Sequence, residues 1–253
     1  MTVSTARPRV PTLVLAAALL LLGLLVGWLW EAHRVAADPA ARLAASDRAA
    51  YEKVVHDYIL AHPEILPEAM EALHRREDAK SVEGVRDALF TPFPGSVLGN
   101  PNGKVTLVEF TDFACTFCKR SVEDVEALIA ANPDLKVVVR QLPILSPQST
   151  EAAKIGLAVA EQGHYPAFHH AMFEIGKPDP QAIAAAAAAA GADLDQAKQQ
   201  ASDRKIAAEL DRNLEFARQL GFTGTPSWVV GNRLLSGAIG QQKLAEAIAA
   251  ARG

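Results

Sequence analysis

Residues 104–119 read KVTLVEFTDFACTFCK, and this stretch decides the fold. Its first half is β-branched and apolar, which predicts a buried strand from Lys104 to Phe110, with residues 111–114 as the loop beyond it. From Cys118 to Ala131 the apolar residues recur at helical spacing. Residues 136–141, KVVVRQ, supply a second strand about one crossover later, so a parallel βαβ unit is the simplest interpretation.

The rest of the C-terminal region completes an α/β layer fold. Residues 148–220 contain several helical runs and no convincing strand, which predicts a helical insertion. Residues 227–236, SWVVGNRLLS, predict a β-hairpin that turns at Gly231-Asn232, and residues 241–252 predict a closing helix. The segment Thr91 to Gly95, TPFPG, breaks the helical pattern before the first strand. We therefore expect one domain over residues 91–253.

The N-terminal region carries an apolar stretch long enough to cross a membrane. Residues 11–30 are uncharged and mostly apolar, and a 20-residue helix reaches roughly 30 Å. Arg7 and Arg9 precede it, which predicts residues 1–10 in the cytoplasm and the remainder outside. The alternative is a long signal peptide cut after Val35-Ala36-Ala37. Either interpretation exports residues 38–253.

Between this span and the α/β domain the pattern predicts a stem, residues 31–48, and a small helical segment, residues 49–90. Tyr51, Val54 and Tyr58 are spaced as on one helix face, and His62-Pro63 interrupts the pattern before it resumes. The apolar stripe is explained equally well as a satellite core or as a seam between identical chains, so residues 49–80 are a possible site of homo-oligomerisation.

Composition excludes some classes of function. Half of the 253 residues are apolar, which allows a sizeable core, and the formal net charge of −4 offers no basic surface for a phosphate backbone. We expect no nucleic-acid partner.

The chain's two cysteines, Cys115 and Cys118, stand where the strand ends and the helix begins. Side chains three residues apart in a first helical turn lie roughly 5 to 6 Å apart, so this pair can close and open as a disulfide. The helix N-terminus stabilises a thiolate at Cys115, which predicts that Cys115 is the nucleophile. Cys118, inside the helix, should be more buried and less acidic, and would resolve the mixed disulfide.

A structural disulfide and half of a metal site are the two other interpretations of the cysteine pair. A structural disulfide across four residues removes only about 2 kcal/mol of unfolded-state entropy, which is little for an exported protein that needs a stabilising cross-link. Half of a zinc site lacks a second cysteine pair, and the nearest histidines are His164, His169 and His170. We expect neither a metal nor another cofactor.

The segment Gly224-Thr225-Pro226-Ser227 precedes the predicted hairpin. A proline here is by itself an ordinary turn residue, since about 5% of X-Pro bonds are cis. A cis Pro226 at this place would leave the backbone groups of Thr225 free to pair with an extended peptide held beside Cys115.

These features together resemble the DsbA-like branch of the thioredoxin superfamily. The similarity covers roughly residues 50–250 and is closest to the ScsC-like subgroup. Several segments carry it, namely Val97–Gly103, Val108–Phe113, Cys118-Lys119-Arg120 and Tyr58–Glu64. The resemblance implies a thioredoxin fold with a helical insertion, with Cys115 as nucleophile, Cys118 as resolving cysteine and Thr225-Pro226 as the substrate-binding cis-proline loop. It also implies that His169 and His170 are packing and capping residues.

The chain departs from the strongly oxidising members of this family between the cysteines. Thr116-Phe117 replaces their Pro-His, so no imidazole stands there to stabilise the thiolate, although Lys119 and Arg120 bring positive charge nearby. The resemblance thus predicts a thiol-disulfide oxidoreductase acting on exported clients with thiols or disulfides, reset by an unidentified membrane redox partner. Oxidase, isomerase and reductase all stay open, and a metal- or client-binding module without turnover is the alternative.

Overall fold

The computed structural model of the protein describes residues 10–37 and 45–252. The chain divides into two units, residues 1–70 and residues 71–253. In the first unit, helix α1 spans Val10–Ala37, and Ala16–His33 is long and apolar enough to cross a membrane. The predicted span therefore lies inside α1. Of the predicted cytoplasmic residues 1–10, Val10 begins α1 and residues 1–9 lie outside the described residues.

The predicted stem is largely helical where the structure describes it. Residues 31–37 continue α1, and residues 45–48 belong to helix α2, which spans Ala45–Ala61. The other stem residues, 38–44, lie outside the described part of the chain. Helix α3 spans Ile65–Glu83, so the break falls at His62-Pro63 as predicted. Tyr51, Val54 and Tyr58 are all more than half exposed.

The structure sets the boundary of the α/β domain earlier than residue 91. The division between the two units falls inside α3, between Met70 and Glu71. Val82 of α3 and Leu89 of helix α4, Arg86–Phe90, are fully buried in a core with Val108 and Phe110. The sequence pattern missed this because five residues of helix are too few to show a periodicity that links them to a distant strand.

Within residues 45–252 five strands form one sheet. They are β1 (Val97–Gly99), β2 (Val105–Thr111), β3 (Leu135–Gln141), β4 (Ser227–Val230) and β5 (Arg233–Ser236), in the order β1-β3-β2-β4-β5. Strands β2 and β3 are parallel and the other neighbours are antiparallel. The crossover helix α5, Thr116–Ala131, connects β2 to β3 and confirms the predicted βαβ unit. The antiparallel pair β4 and β5 confirms the predicted hairpin. Strand β1 was not predicted, because three residues are too short for a period-2 pattern.

The predicted helical insertion is present between β3 and β4. It contains α6 (Pro147–Glu161), α7 (Tyr165–Ile175), α8 (Pro180–Ala190), α9 (Leu194–Gln200) and α10 (Arg204–Gln219), and α11 (Gln241–Ala250) closes the chain. Local signals begin these helices: Ser146, Asp179 and Asp193 each accept a backbone N–H at a helix N-cap.

Two cores lie on opposite faces of the sheet, because successive strand residues point to opposite sides. Leu107 of β2 packs in a core that also contains Trp228 and Cys118. Val108 and Phe110 pack on the other face, against residues of α10 such as Phe216. By the same alternation Glu109 and Thr111 face the side of Leu107, which is the side of the cysteines.

A buried arginine closes the face opposite the cysteines. Arg140 of β3 is 1% exposed and donates to Glu209 and Asn213 of α10. It also donates to the backbone oxygens of Ala88, Leu89 and Thr91, so it satisfies the free carbonyls at the C-terminal end of α4. Burial raises the pKa of Glu209, and the charge of Arg140 opposes that rise.

We predict that Arg140→Met destabilises the domain by about 3 to 5 kcal/mol, because it leaves the Glu209 carboxyl buried without its cation. The double variant Arg140→Met/Glu209→Gln should recover part of the loss, since it buries no charge. Chemical denaturation of the purified chain in detergent measures both. Arg212→Met is the control: Arg212 is 57% exposed and lies 3.8 Å from Glu209, so its loss should cost less than about 1 kcal/mol. If Arg140→Met and Arg212→Met lost the same free energy of unfolding, Arg140 would not be the cation on which the buried Glu209 depends.

Candidate active site

The cysteine pair occupies the first turn of α5, directly after β2. Cys115 is the N-cap residue of the helix, with extended backbone angles, and its Sγ accepts the backbone N–H of Cys118 at 3.3 Å. An N-cap side chain that accepts this N–H satisfies one of the helix's free donors. The same geometry directs a helix N-terminus at the sulfur, so a negative charge on Cys115 is stabilised.

The loop before β4 lies against this turn, 110 residues along the chain. The Thr225–Pro226 peptide bond is cis, as predicted. The thiol of Cys115 donates to the backbone oxygen of Thr225 at 3.2 Å. The structure therefore brings together Cys115, Cys118 and Thr225-Pro226, the four residues that the sequence singled out.

The two thiols differ in burial and acidity in the predicted sense. Cys118 is fully buried and Cys115 is 6% exposed. The pKa of Cys115 is lowered to about 5, chiefly by a hydrogen bond from the Cys118 side chain, with burial opposing and Thr225 assisting. Burial raises the pKa of Cys118, and its interaction with Cys115 raises it further. Both cysteines are free thiols here, so their disulfide stays a prediction.

Hydrogen bonds, and not nearby cations, lower the pKa of Cys115. The Lys119 ammonium donates to the backbone oxygen of Glu174 at 3.0 Å, at the end of α7. The Arg120 guanidinium lies over the ring of Phe117, 4.4 Å from its centroid. Neither charge is among the chief causes of the lowered pKa of Cys115, although both residues stand close to it in sequence.

Sequence reasoning missed one titratable group of the site, Glu109. Its carboxyl is 2% exposed in β2, on the same sheet face as the cysteines, and burial raises its pKa to about 8. Negative charge on Cys115 raises the pKa of Glu109, and Glu109 in turn raises that of Cys118. The available signal was a single carboxylate inside the otherwise apolar strand 105–110, six residues before Cys115.

Glu109 is suited to accept a proton beside Cys118. Among the described residues, the buried atoms Glu109 Oε2 and Thr111 Oγ1 have no hydrogen-bond partner. The Thr111 side chain lowers the pKa of both Glu109 and Cys118, so it lies near each of them. With a pKa near 8 the Glu109 carboxyl ionises close to neutral pH, and its ionised form can then act as a general base.

The histidines lie outside this arrangement. His169 is 3% exposed and packs among the rings of Phe113, Tyr165 and Phe173. Burial lowers its pKa to about 3, so it is a neutral packing residue, as predicted. His170 lies 2.7 Å from Glu126 at the surface. Across the described residues no group of three or more histidine, cysteine or acidic side chains is placed to hold a metal ion.

Four large apolar side chains near the cysteines are exposed. Phe117 is 53% exposed between the cysteines, Ile144 and Leu145 are 43% and 54% exposed after β3, and Ile175 is 45% exposed at the end of α7. Lys119 of α5 bonds the residue before Ile175, which ties that end of α7 to the active-site helix.

Two sequence profiles match the chain. The DSBA-like thioredoxin domain matches residues 106–249, and the N-terminal domain of copper resistance protein ScsC matches residues 47–80. The first match covers more than half of the chain, and it includes Cys115, Cys118 and the Thr225-Pro226 loop.

Several solved structures are similar. A thioredoxin-like oxidoreductase from Silicibacter pomeroyi is 38% identical with a TM-score of 0.63, over 66% of this chain and 97% of that one. A linker-deletion mutant of Proteus mirabilis ScsC is 28% identical with a TM-score of 0.63, over 83% and 97%. The thiol-disulfide exchange protein alpha-DsbA2 of Wolbachia pipientis is 28% identical with a TM-score of 0.64, over 70% and 96%.

The curated relatives are longer proteins. The Na(+)/H(+) antiporter NhaA 1 of Salinispora arenicola is 26% identical over 174 residues, and NhaA 3 of Salinispora tropica is 27% identical over the same length. The match covers 67% of this chain and 27% of each antiporter. The chain thus spans about a quarter of the length of the curated relatives it matches.

We predict that the rate of Cys115 alkylation rises with a midpoint near pH 5, the pKa of its thiol. Cys118→Ala should move the midpoint upward, because the hydrogen bond that lowers the pKa most is lost. Thr225→Val should move it upward by less. Arg120→Gln is the control, and its midpoint should match that of the parent chain. A large upward shift in Arg120→Gln would show that charge, and not hydrogen bonding, stabilises the thiolate.

We predict that Glu109→Gln stabilises the fold, and more so at higher pH. The folded pKa of about 8 exceeds the usual 4.5, so the folded state holds this proton more tightly than the unfolded chain does, and stability falls as pH rises between these values. At 1.36 kcal/mol per pH unit, the gain in the variant should approach about 3 kcal/mol at pH 7. Denaturation at pH 5 and pH 8 measures it, and a gain independent of pH would refute it.

Proposed function

The chain belongs to the DSBA-like thioredoxin domain family, a family of thiol-disulfide oxidoreductases, and from that premise we propose that it exchanges disulfides with exported proteins through Cys115 and Cys118. The observation that carries the proposal is the position of Cys115 Sγ, between the Cys118 N–H and the Thr225 oxygen. One contact stabilises the thiolate, and the other places the sulfur beside the Thr225 backbone, in the loop before β4, with which an extended client peptide would pair.

In the oxidising direction the enzyme begins with a Cys115–Cys118 disulfide. A client thiolate attacks Cys115 Sγ, the enzyme's S–S bond breaks, and Cys118 leaves and takes up a proton. A second client thiolate then attacks the client sulfur of the mixed disulfide, and Cys115 leaves as a thiolate. The client loses two electrons and gains a disulfide, while the enzyme is left with two reduced cysteines.

In the reducing direction the Cys115 thiolate attacks a client disulfide and one client sulfur leaves. Cys118 must then lose its proton before it attacks Cys115 and releases the client's second sulfur. Burial opposes that deprotonation. Glu109 is the group we assign to accept this proton, because its own pKa of about 8 lies near the working pH. Isomerisation uses the same first step, but a different client thiol resolves the mixed disulfide.

The acidity of Cys115 supports a couple of intermediate strength. Its pKa of about 5 lies between roughly 3.5, typical of a strong oxidant of this family, and roughly 7, typical of thioredoxin. A more acidic thiol is a better leaving group, so it favours donation of the disulfide to clients. Thr116-Phe117 in place of Pro-His fits this weaker stabilisation.

Unfolded or partly folded proteins are the clients that the surface near Cys115 suits. Phe117, Ile144, Leu145 and Ile175 are apolar and exposed, and such side chains contact the apolar residues that an unfolded chain presents. The backbone of Thr225 would pair with an extended client segment.

The proposed location is the outer side of the cytoplasmic membrane. The apolar stretch of α1 would anchor the chain as a single-pass helix, with the α/β domain in the periplasm. Cleavage as a signal peptide is the alternative and leaves a soluble periplasmic protein. A membrane redox partner that resets the cysteine pair is part of this proposal.

Assembly decides between the two forms of the activity. The exposed apolar residues of α2 and α3, including Tyr58 and Met70, support a homo-oligomer through residues 49–80. An oligomer with several cysteine pairs suits isomerisation, whereas a monomer suits oxidation. The alternative function is a module that binds a metal or a client on the same fold without turnover.

We predict that Cys118→Ala accumulates mixed disulfides with clients through Cys115, because the thiol that releases them is gone. Non-reducing electrophoresis of the full chain with a scrambled client protein detects them, because the Cys115 thiolate attacks a client disulfide and one client sulfur leaves as a thiol. The matched control is Cys115→Ala/Cys118→Ala, which should form none.

A binding module gives the opposite result, since its client binding would be the same with and without Cys118. The equilibrium of the parent pair with glutathione supplies an independent measure. A reduction potential of about −120 to −200 mV fits an oxidant or isomerase, and one below about −300 mV fits a structural disulfide and would refute the exchange activity.

A further inference from the structure

Asp112 lies between β2 and the cysteine pair and takes no part in the chemistry described above. Its side chain is fully buried. Oδ1 accepts the backbone N–H of Ala114 at 2.8 Å, and Oδ2 accepts the backbone N–H groups of Ile144 and Leu145 at 2.9 and 3.0 Å. Its backbone oxygen accepts the N–H of Cys115 at 2.9 Å. One residue therefore holds two loops that are about 30 positions apart in sequence.

The three side-chain contacts are all to backbone donors. Within the described residues Asp112 forms no ion pair with a lysine, arginine or histidine, so backbone N–H groups alone solvate this carboxylate. Hydrogen bonds to a charged acceptor are roughly twice as strong as neutral ones and fix their donors closely. The backbone at Ile144 and Leu145 is thus held tightly to the backbone at Ala114 and Cys115.

The side chains on the held loop project outward. Ile144 and Leu145 are 43% and 54% exposed although their N–H groups are bonded to a buried residue. Pro143 precedes them, and Ser146 caps the next helix, α6, by accepting the N–H of Ser149. Two apolar side chains are therefore presented at a fixed place relative to Cys115 Sγ.

We propose that Asp112 is a positioning residue that sets the Ile144-Leu145 surface at a fixed distance from Cys115, so that the enzyme selects cysteines flanked by an apolar residue in an extended client segment. This inference rests on the proposed exchange function and adds its substrate preference. The Asp112 side chain touches neither the client nor the reacting sulfur atoms, and it acts through the two loops that it joins. Only the backbone of Asp112 contacts Cys118, and the substitutions tested below keep that backbone.

The test compares one disulfide chemistry in three settings. The full chain in detergent, starting as the dithiol, reduces oxidised glutathione and two synthetic peptides that carry the same cysteine-glutathione mixed disulfide. A dithiol reductant restores the Cys115 and Cys118 thiols after each turnover, and its direct reaction with each substrate, measured without the chain, is subtracted. The peptides differ only in the residues beside the cysteine, which are leucine in one and serine in the other. The measured quantity is the ratio of kcat/KM for the leucine peptide to that for the serine peptide, with glutathione exchange as the internal reference for each variant.

Asp112→Asn should lower this ratio about tenfold, mainly through KM for the leucine peptide. The amide replaces one oxygen acceptor by an NH₂ donor that faces backbone N–H groups, so at least one loop is released, and displacements on the order of 1 Å can cost up to about a hundredfold in rate. Ile144→Ser/Leu145→Ser should lower the ratio to a similar degree. The combined variant should lower it no further, because both changes remove the same contact.

Asp193→Asn is the matched control. Asp193 also accepts a backbone N–H, that of Gln196, but it does so at the start of α9. The ratio of kcat/KM values in Asp193→Asn should therefore equal that in the parent chain. A purely structural role of Asp112 would slow all three substrates together and leave the ratio unchanged, which overturns the proposal.

Failure of this inference differs from failure of the proposed function. Exchange with glutathione but no leucine preference in the parent chain overturns the inference alone. Absence of exchange with all three substrates overturns the function and the inference with it. If Asp112→Asn does not fold, the surface variant Ile144→Ser/Leu145→Ser still decides, because a retained leucine preference there refutes the proposal.

Discussion

The site depends on one constraint, which is that the first turn of α5 directs the Cys118 N–H at the sulfur of Cys115. A helix can begin here because β2 ends at Thr111 and the next four residues turn the chain. At the N-cap position the backbone oxygen of Cys115 accepts the N–H of Lys119, and its sulfur accepts the otherwise free N–H of Cys118. Burial alone would make Cys115 a weaker acid. The hydrogen bonds outweigh burial, and the pKa falls to about 5.

The same sheet face holds a group whose burial opposes stability. Burial raises the pKa of Glu109 to about 8, and the charge of its ionised form raises the pKa of Cys118. The opposite face shows the other way to bury charge. Arg140 pairs with Glu209 and donates hydrogen bonds to three carbonyl oxygens at the end of α4, so nearly all of its N–H donors have an acceptor. Glu109 is thus buried as a neutral acid, whereas Arg140 is buried with its charge paired.

The similar proteins place this domain in different settings. The match covers nearly all of the thioredoxin-like oxidoreductase from Silicibacter pomeroyi. In the antiporter it covers only about a quarter of the length. In this chain it follows an apolar helix and two helices with exposed apolar side chains. The residues of the proposed exchange site lie within 109–226, all in the unit of residues 71–253.

The sequence by itself determined the βαβ unit, the insertion, the hairpin and the difference between the two cysteines, because each depends on periodicity or on position within one helical turn. Only the tertiary structure decided which distant groups meet. Thr225 bonds Cys115 across 110 residues, Val82 and Leu89 join a core with β2, and Asp112 holds the loop at Leu145. Lys119 and Arg120 stand next to the cysteines in sequence, yet their charges are used elsewhere. The spacing of residues along the chain determines where a helix or strand runs. The pKa of a side chain is set by its burial and by its hydrogen-bond and charge partners, and both depend on the whole fold.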